Sequence, residues 1–220
     1  MKLAELLEKT EYTVVSGNVD VEVKELQYDS RKVTHGDVFV CISGAVVDGH
    51  DFITDVIAKG AAAVIVERDT QGIETADAVI IRTPDTRLAL AYMSAAFFDY
   101  PAEKLFTIGI TGTKGKTTTT FMVRDILEAC NIKTGLIGTI ETIIGDTHIP
   151  SANTTPESYM VQKYFRDMAD AGCRCVVMEV SSQALMLHRT AGIMFDIGVF
   201  TNLEPDHIGP NEHSSFEEYA

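Results

Sequence analysis

A glycine-rich loop between an apolar strand and a helix is the feature that most restricts how this chain can fold. Leu105–Ile110 predicts a buried strand, Lys116–Cys130 predicts a helix, and Gly109–Thr118 joins them. Glycines let several backbone N–H groups face one anion, and the N-terminus of the next helix adds partial positive charge. The segment therefore predicts a phosphate-binding loop. In it, Lys116 would reach the β- and γ-phosphates, and the Thr117 hydroxyl would be a Mg²⁺ ligand.

The apolar segments that follow place this loop in a parallel sheet. Extended segments are predicted at Lys133–Ile137, around Thr142–Ile144, at Cys175–Val180 and at Ile197–Thr201. A helix is predicted to begin with Thr155 as its N-cap and to end at Gly172. Apolar strands separated by helices are typical of a parallel sheet buried on both faces. Because Ser215–Ala220 resembles the first turns of a helix, we expect residues 104–220 to be an incomplete α/β domain.

The first hundred residues predict a smaller α/β unit, since strands and helices alternate there. The predicted elements are strands at Asp37–Ile42, Ala63–Val66 and Val79–Ile81, a helix at His50–Lys59 that Gly60 ends, and a helix that Asp85 caps and that contains Leu88–Phe98. Pro101 interrupts this pattern. We therefore place a domain boundary near residue 103, between residues 1–103 and 104–220.

Charge and composition exclude several classes of function. The 220 residues carry a net charge of −14, and an acidic surface repels polyphosphate backbones, so we expect no nucleic-acid partner. The longest near-apolar run, Leu88–Phe98, is too short to cross a bilayer, and the N-terminus lacks the apolar core of a signal peptide. We therefore expect a cytoplasmic protein without membrane insertion. The four cysteines lack the spacing of a zinc site and are expected to be small apolar residues.

Five segments, taken in order, resemble the Mur ligase family. Thr111–Thr118 reads TGTKGKTT where the family usually has TGTNGKTT, so Lys114 replaces an asparagine; the loop also departs from the strict G-x-x-x-x-G-K-[ST] pattern. The other four segments are Tyr28–Arg31 (YDSR), Ser151–Pro156 (SANTTP), Glu179–Leu185 (EVSSQAL) and Phe200–His207 (FTNLEPDH). Each motif is weak alone, but five in register are specific. The second and third of these four are most similar to the subgroup that adds the third residue of the peptidoglycan peptide, although Gln183 replaces its usual histidine.

The resemblance implies a fold and a reaction. The expected fold is a small N-terminal α/β uridine-nucleotide domain followed by a P-loop-type parallel-sheet central domain that binds ATP. The expected reaction is ATP-dependent addition of a diamino acid to UDP-MurNAc-L-Ala-D-Glu through an acyl phosphate, with Mg²⁺. Both substrates are small molecules, and a monomer is expected.

The resemblance also implies site residues. The expected ATP-binding residues are Gly112, Thr113, Lys114, Gly115, Lys116, Thr117 and Thr118, and the expected substrate-binding residues are Ser30, Asn153, Thr154, Thr155, Ser181 and Arg189. Thr117, Glu179 and His207 are expected to hold metal ions, and Lys116, Glu179 and His207 to be catalytic. Glu179 is also favoured by its position, since it ends an apolar strand where α/β sheets bind ligands.

Plainer interpretations remain open for several of these residues. Glu179 could be a solvated strand end, and His207 could be a surface or capping residue. Ser30 could lie in an ordinary turn, Thr155 could be only a helix cap, and Arg189 could form a surface salt bridge. For the whole chain, the alternatives are a folylpolyglutamate synthetase-like ligase and a non-enzymatic nucleotide-binding module. Family members carry a carbamylated lysine and an amino-acid-selecting domain beyond the position of Ala220, so we expect this chain alone not to complete ligation.

Overall fold

The computed structural model describes residues 1–44, 46–69, 78–206, 208–209 and 213–220. They form two compact units, Met1–Phe97 and Phe98–Ala220. The sequence places the boundary near residue 103, whereas the contacts place the 3₁₀ helix Pro101–Lys104 in the second unit. None of the helices that the structure describes is long and apolar enough to cross a membrane.

The first unit is a five-stranded sheet with helices. Its elements are α1 (Leu3–Leu6), β1 (Thr13–Ser16), β2 (Leu26–Gln27), β3 (Val38–Val40), a 3₁₀ helix (Gly49–Phe52), α2 (Ile53–Ala58), β4 (Ala63–Val66), β5 (Val79–Arg82) and α3 (Thr86–Phe97). The strand order is β1-β5-β4-β3-β2, with β2 to β5 parallel and β1 antiparallel at the edge. The predicted α/β layer is therefore present. The short elements α1, β1 and β2 were not predicted.

Apolar side chains and a helix cap explain why these elements form. The α2 residues Ile53 and Val56 pack with strand residues such as Val64 in one buried cluster. At α3, the Leu88 N–H donates to the Asp85 carboxylate at 2.9 Å, which confirms Asp85 as the cap. Most side chains of α3 are buried, as predicted for this helix.

The second unit is a six-stranded sheet with helices on both faces. Its remaining elements are β6 (Phe106–Thr111), α4 (Lys116–Ala129), β7 (Thr134–Ile137), β8 (Glu141–Ile144), β9 (Thr147–Pro150), α5 (Ser158–Asp170), β10 (Cys175–Glu179), α6 (Ser182–Met186), β11 (Ile197–Phe200) and α7 (Phe216–Tyr219). The strand order is β11-β6-β10-β7-β8-β9, with β11, β6, β10 and β7 parallel. The parallel α/β sheet that the sequence predicts is confirmed.

Two apolar clusters hold the helices on this sheet. On one face, Ile110 and Val177 pack with the α4 residues Val123 and Leu127. On the other face, the α5 residues Val161, Phe165 and Met168 pack with Val176 and Met178 of β10 in the second cluster. Because β10 is covered on both faces, all five of its residues are buried.

Two predictions about this unit were wrong. β11 is apolar, but it lies at the sheet edge beside β6, and Phe200 is 61% exposed, so this strand is not buried on both faces. An apolar run indicates a strand without indicating its place in the sheet. The α5 helix begins at Ser158 with Glu157 as its N-cap, so Thr155 is not the cap.

The parallel strands bring the predicted motifs to one edge of the sheet. The register pairs Glu179 of β10 with Ile110 of β6, so the carboxylate lies beside the point where the glycine-rich loop begins. The loops after β7 and β11 leave the same edge, because these strands run parallel to β6 and β10. Ligands of open α/β sheets bind at this edge.

Candidate active site

The glycine-rich loop has a conformation that two of its glycines make possible. Gly112 has φ +129°, and a Cβ there would collide with the Thr201 hydroxyl and the backbone of Asn202. Gly115 has φ +85° and is the N-cap of α4. Other residues rarely adopt such angles. The predicted order of a strand, a tight glycine-rich loop and a helix is therefore confirmed.

Lys116 lies at the start of α4 with its side chain folded over the loop. Its ammonium donates hydrogen bonds to the carbonyl oxygens of Gly112 at 2.6 Å and Thr113 at 3.2 Å. Burial lowers the pKa of Lys116, and the negative charges of Glu179 and Asp206 oppose that shift. The side chain is thus a partly buried cation at the mouth of the loop, where an anion would replace neutral carbonyls as its partner.

The Glu179 carboxylate is fully buried and is held by three hydrogen bonds. One oxygen accepts from the Thr139 backbone N–H at 2.9 Å. The other oxygen accepts from the hydroxyls of Thr117 at 2.9 Å and Thr139 at 3.1 Å. The side chain fits closely, since a Cβ on Gly138 would collide with the first oxygen. Glu179 is therefore not the solvated strand end that the sequence left open.

Thr117 and Glu179 provide a pair of oxygen ligands that fits Mg²⁺. Carboxylate and hydroxyl oxygens are ligands that this ion prefers, and the ion usually takes its other ligands from phosphates and water. Among the residues that the structure describes, no three His, Cys, Asp or Glu side chains gather to hold a metal ion. A cation at this pair would therefore need ligand oxygens from a nucleotide or from water. His207, the other expected metal ligand, lies outside the described residues.

Thr155 connects the segment Ser151–Pro156, the predicted substrate loop, to the strand that carries Glu179. Its buried hydroxyl donates to the Glu179 carbonyl oxygen at 2.8 Å and accepts from the Ser181 N–H at 3.1 Å. Ser181 in turn is the N-cap of α6, where its side chain accepts from the Ala184 N–H at 3.2 Å. This use of the Thr155 hydroxyl explains why it does not cap α5.

Arg189 lies between the substrate loop and an acidic residue. Its guanidinium donates to the Thr155 carbonyl oxygen at 3.1 Å, and its Nε lies 3.6 Å from the Glu157 carboxylate. Only 17% of the Arg189 side chain is exposed, so this is not an ordinary surface salt bridge. The residue is fixed in place and presents a cation beside Thr155.

One cavity of about 220 Å³ brings half of the predicted site residues of this unit together. Its wall includes Gly112 and Lys116 from the glycine-rich loop, Asn153–Thr155 from the predicted substrate loop, and Ser181 and Arg189. Two cations, several hydroxyls and two amides thus face one space. Such a lining suits a ligand with several anionic oxygens.

Other predicted residues hold the phosphate loop rather than line this cavity. The Thr113 hydroxyl bonds the Tyr219 hydroxyl at 2.6 Å and accepts from the Glu204 N–H at 2.9 Å. The Lys114 ammonium pairs with the Glu204 carboxylate, and its backbone N–H donates to the Asn202 side chain at 2.9 Å. The segment after β11 thus fixes the far side of the loop. The lysine that replaces the usual asparagine is an ion-pair partner.

Ser30 and Thr118 complete the set of predicted residues. Ser30 belongs to the first unit, where its carbonyl oxygen accepts from the Lys59 ammonium at 2.8 Å. The Arg31 guanidinium hydrogen-bonds Asp29 and thereby lowers the pKa of that carboxyl to about 2. Thr118 is exposed in the first turn of α4.

Two residues of the site were missed in the sequence. Thr139 bonds Glu179 from just past the end of β7, and the strand-end argument that selected Glu179 would also have selected it. His213 lines the cavity, is 4% exposed, and has no hydrogen-bond partner for either ring nitrogen among the described residues. His213 lies outside the five motifs, so they do not point to it.

Comparison with protein families decides the identity of this arrangement. Residues 110–220 match the model described as the Mur ligase middle domain, and residues 22–98 match the one described as the Mur ligase family, catalytic domain. The chain belongs to the Mur ligase family. The predicted resemblance is therefore confirmed, and the cavity lies within the middle domain of that family.

Named Mur ligases are similar to the chain over its whole length. UDP-N-acetylmuramoyl-L-alanyl-D-glutamate–2,6-diaminopimelate ligase from Clostridium perfringens is 48% identical over 219 residues, and the enzyme of that name from Clostridium tetani is 44% identical over 220 residues. A solved structure of a ligase with that name matches all of the chain with a TM-score of 0.79 at 25% identity. The chain spans 44%, 45% and 43% of these three Mur ligases, respectively.

Thr155→Val should lower the free energy of unfolding by about 2 kcal/mol. Valine keeps the shape but leaves the Glu179 carbonyl and the Ser181 N–H without their partner, and an unsatisfied buried group costs about 1–3 kcal/mol. Urea denaturation measures the change as a lower midpoint at an unchanged m-value. Thr147→Val, at an exposed position of β9, is the matched control. Equal stability of the two variants would contradict the bridging role of Thr155.

Proposed function

We propose that this chain provides the uridine-nucleotide and ATP-binding parts of a ligase that adds a diamino acid to UDP-MurNAc-L-Ala-D-Glu. The observation that carries the proposal is the single cavity in which Lys116 faces the substrate loop and Arg189, beside the Thr117–Glu179 pair. The names of the relatives support the choice of substrate and point to 2,6-diaminopimelate as the amine. The proposal concerns the whole protein, because the relatives named above are more than twice as long as this chain.

In the first step, the γ-carboxylate of D-Glu attacks the γ-phosphorus of ATP, and the bond to the β,γ-bridging oxygen breaks to release ADP. The product is an acyl phosphate. Two anions must approach each other in this step, so charge neutralisation and positioning supply most of the catalysis. Lys116 would exchange its hydrogen bonds to the loop carbonyls for bonds to phosphate oxygens. Arg189 is placed to neutralise the carboxylate or the diphosphate of the uridine substrate.

Thr117 and Glu179 would hold Mg²⁺ in this site, and His207 is proposed to help hold a second ion by resemblance to the family. The ion would supply neutralisation of the developing phosphate charge. Thr139 keeps the Glu179 carboxylate in position by hydrogen-bonding both of its oxygens. The N–H groups of Gly115 and of the first turn of α4 would bind the remaining phosphate oxygens, because those of Thr113 and Lys114 donate to Asn202.

In the second step, the amine of the diamino acid attacks the acyl carbon. Inorganic phosphate leaves as the amide bond forms. The attacking nitrogen loses one proton to solvent or to the departing phosphate. Exclusion of water from the acyl phosphate is required, because hydrolysis would waste the ATP. Asn153, Thr154 and Ser181, which line the cavity, would hold the D-Glu end of the substrate while the amine approaches.

Isothermal titration calorimetry of the chain with two ligands tests the proposal. We expect binding of UDP-MurNAc-L-Ala-D-Glu and of Mg²⁺ with the β,γ-imido analogue of ATP, both at one site per chain. UDP-MurNAc-L-Ala is the matched control ligand, since it lacks only D-Glu and its carboxylates, and it should bind more weakly by about tenfold. A folded chain that binds neither ligand would refute the proposal. Binding of a folate in place of the uridine substrate would indicate the folylpolyglutamate synthetase-like function.

A further inference from the structure

A row of hydrogen-bonded groups runs from the substrate loop to the proposed metal site. The Thr139 hydroxyl lies 3.0 Å from the Thr154 hydroxyl and 3.1 Å from one carboxylate oxygen of Glu179. Thr154 lines the cavity, whereas Glu179 faces Thr117. In the part of the chain that the structure describes, the Thr139 hydroxyl thus links Thr154 of the predicted substrate loop to the Glu179 carboxylate.

The number of hydroxyl protons limits this row to two arrangements. Each threonine hydroxyl has one proton, so Thr139 cannot donate to Thr154 and to Glu179 at once. In the first arrangement, Thr154 donates to Thr139, and Thr139 donates to Glu179. In the second, Thr139 donates to Thr154, which leaves the Thr154 proton free to point into the cavity and leaves the Glu179 oxygen with one donor fewer.

The two ligands of the proposed reaction favour the same arrangement. A cation beside Glu179 repels a hydroxyl proton that points at the same oxygen, so it favours the second arrangement. An anionic ligand in the cavity accepts the free Thr154 proton, so it favours the second arrangement too. Each ligand thus prepares the site for the other. By thermodynamic linkage, the effect is equal in both directions.

We propose that Thr139 couples binding of Mg·ATP to binding of the anionic peptide substrate by reversing the direction of this hydroxyl row. Thr139 is a positioning residue, since it contacts Glu179 and Thr154 and acts on the ligands through them. The inference rests on the proposed function, because that function supplies both ligands. It assigns the side chain of Thr139 a role beyond that of its backbone N–H, which holds Glu179 in either arrangement.

The coupling is measured by calorimetry on four proteins: the unchanged chain, Thr139→Val, Thr139→Ser and Thr134→Val. UDP-MurNAc-L-Ala-D-Glu is titrated with and without saturating Mg²⁺ and the β,γ-imido analogue of ATP. Valine removes the hydroxyl but keeps the backbone N–H, and serine restores the hydroxyl. Thr134 lies at the other end of β7, where its hydroxyl donates to the Ile132 carbonyl oxygen at 2.7 Å, so it controls for loss of a hydroxyl on this strand.

The unchanged chain, Thr139→Ser and Thr134→Val should each bind the substrate about fivefold or more tightly when the nucleotide complex is present. Thr139→Val should show less than about a twofold difference, because it lacks the hydroxyl that links Glu179 to Thr154. Thr139 is exposed, so the variant should fold. Thr139→Ala, which also lacks the hydroxyl, is measured beside it and should give the same result.

The outcomes separate the inference from the proposed function. If both ligands bind and the Thr139→Val and Thr139→Ala chains keep the full coupling, the inference is wrong and the proposed function stands. If both ligands bind the unchanged chain independently of each other, the inference is likewise wrong. If the folded unchanged chain binds neither ligand, the proposed function fails and the inference fails with it.

Discussion

Lys116→Ala should weaken binding of Mg²⁺ with the β,γ-imido analogue of ATP by about 100-fold. Hydrogen bonds to charged groups contribute about 1.5–3 kcal/mol each, and every 1.4 kcal/mol changes a dissociation constant tenfold. The Lys116 ammonium is partly buried and points at two loop carbonyls, Gly112 and Thr113, so it is positioned to bond at least two phosphate oxygens. Calorimetric titration of the variant measures the loss.

The control for this prediction is Lys163→Ala. Lys163 lies on α5, has a 42% exposed side chain and pairs with Asp167 one helical turn away, so it reports the loss of one lysine charge at a distance from the loop. We expect its affinity for the nucleotide to change by less than about twofold, because exposed charges are screened. Lys114→Ala tests the loop itself. Its ammonium pairs with Glu204, so a smaller loss than for Lys116→Ala is expected. If Lys116→Ala binds as tightly as Lys163→Ala, the assignment of the phosphate loop is wrong.

Local patterns in the sequence were enough to predict the phosphate loop and the sheet around it. The strand, the glycines, Lys116 and the helix are adjacent in the chain, so their arrangement follows from short-range geometry. Glu179 was found by the same reasoning, because a charged residue at the end of an apolar parallel strand lies where ligands bind. The hairpin of β8 and β9 was only half predicted. The Gly145–Asp146 pair between these strands is a turn signal that was available in the sequence.

Long-range contacts explain what the sequence did not reveal. Thr155 looked like a helix cap because a threonine before Pro156 has that pattern. Its hydroxyl instead bonds the Glu179 carbonyl oxygen and the Ser181 N–H, which lie 24 and 26 residues away. No local sequence pattern predicts these two partners. The exposure of β11 depends on which strand lies beside it, and the apolar run alone cannot specify that. Glu157 is the cap in place of Thr155. Glutamate is one of several residue types whose side chain can accept a hydrogen bond from an N–H group at a helix N-terminus.

Glu179→Gln should remove most of the Mg²⁺ dependence of nucleotide binding while keeping the fold. The glutamine oxygen can accept from the Thr139 N–H, and its NH₂ group can donate to the hydroxyls of Thr117 and Thr139, which turn to accept. The hydrogen bonds of the carboxylate are thus replaced, but its negative charge is lost, and the NH₂ group repels a cation. We expect Mg²⁺ to tighten binding of the ATP analogue about 100-fold in the unchanged chain and less than about threefold in the variant.

Titrations in Mg²⁺ and in EDTA measure this difference, and Glu128→Gln is the matched control. Glu128 also accepts from a backbone N–H of β7, that of Thr134 at 2.6 Å, but at the end of the strand opposite to the loop. Its substitution removes the same charge and should leave the Mg²⁺ dependence unchanged. Glu179→Ala adds a second contrast, because it leaves the Thr139 N–H without its acceptor and should lower the unfolding midpoint in urea, whereas Glu179→Gln should not. If Glu179→Gln responds to Mg²⁺ as strongly as Glu128→Gln does, the metal is held elsewhere, and Glu179 serves only to anchor the loop after β7.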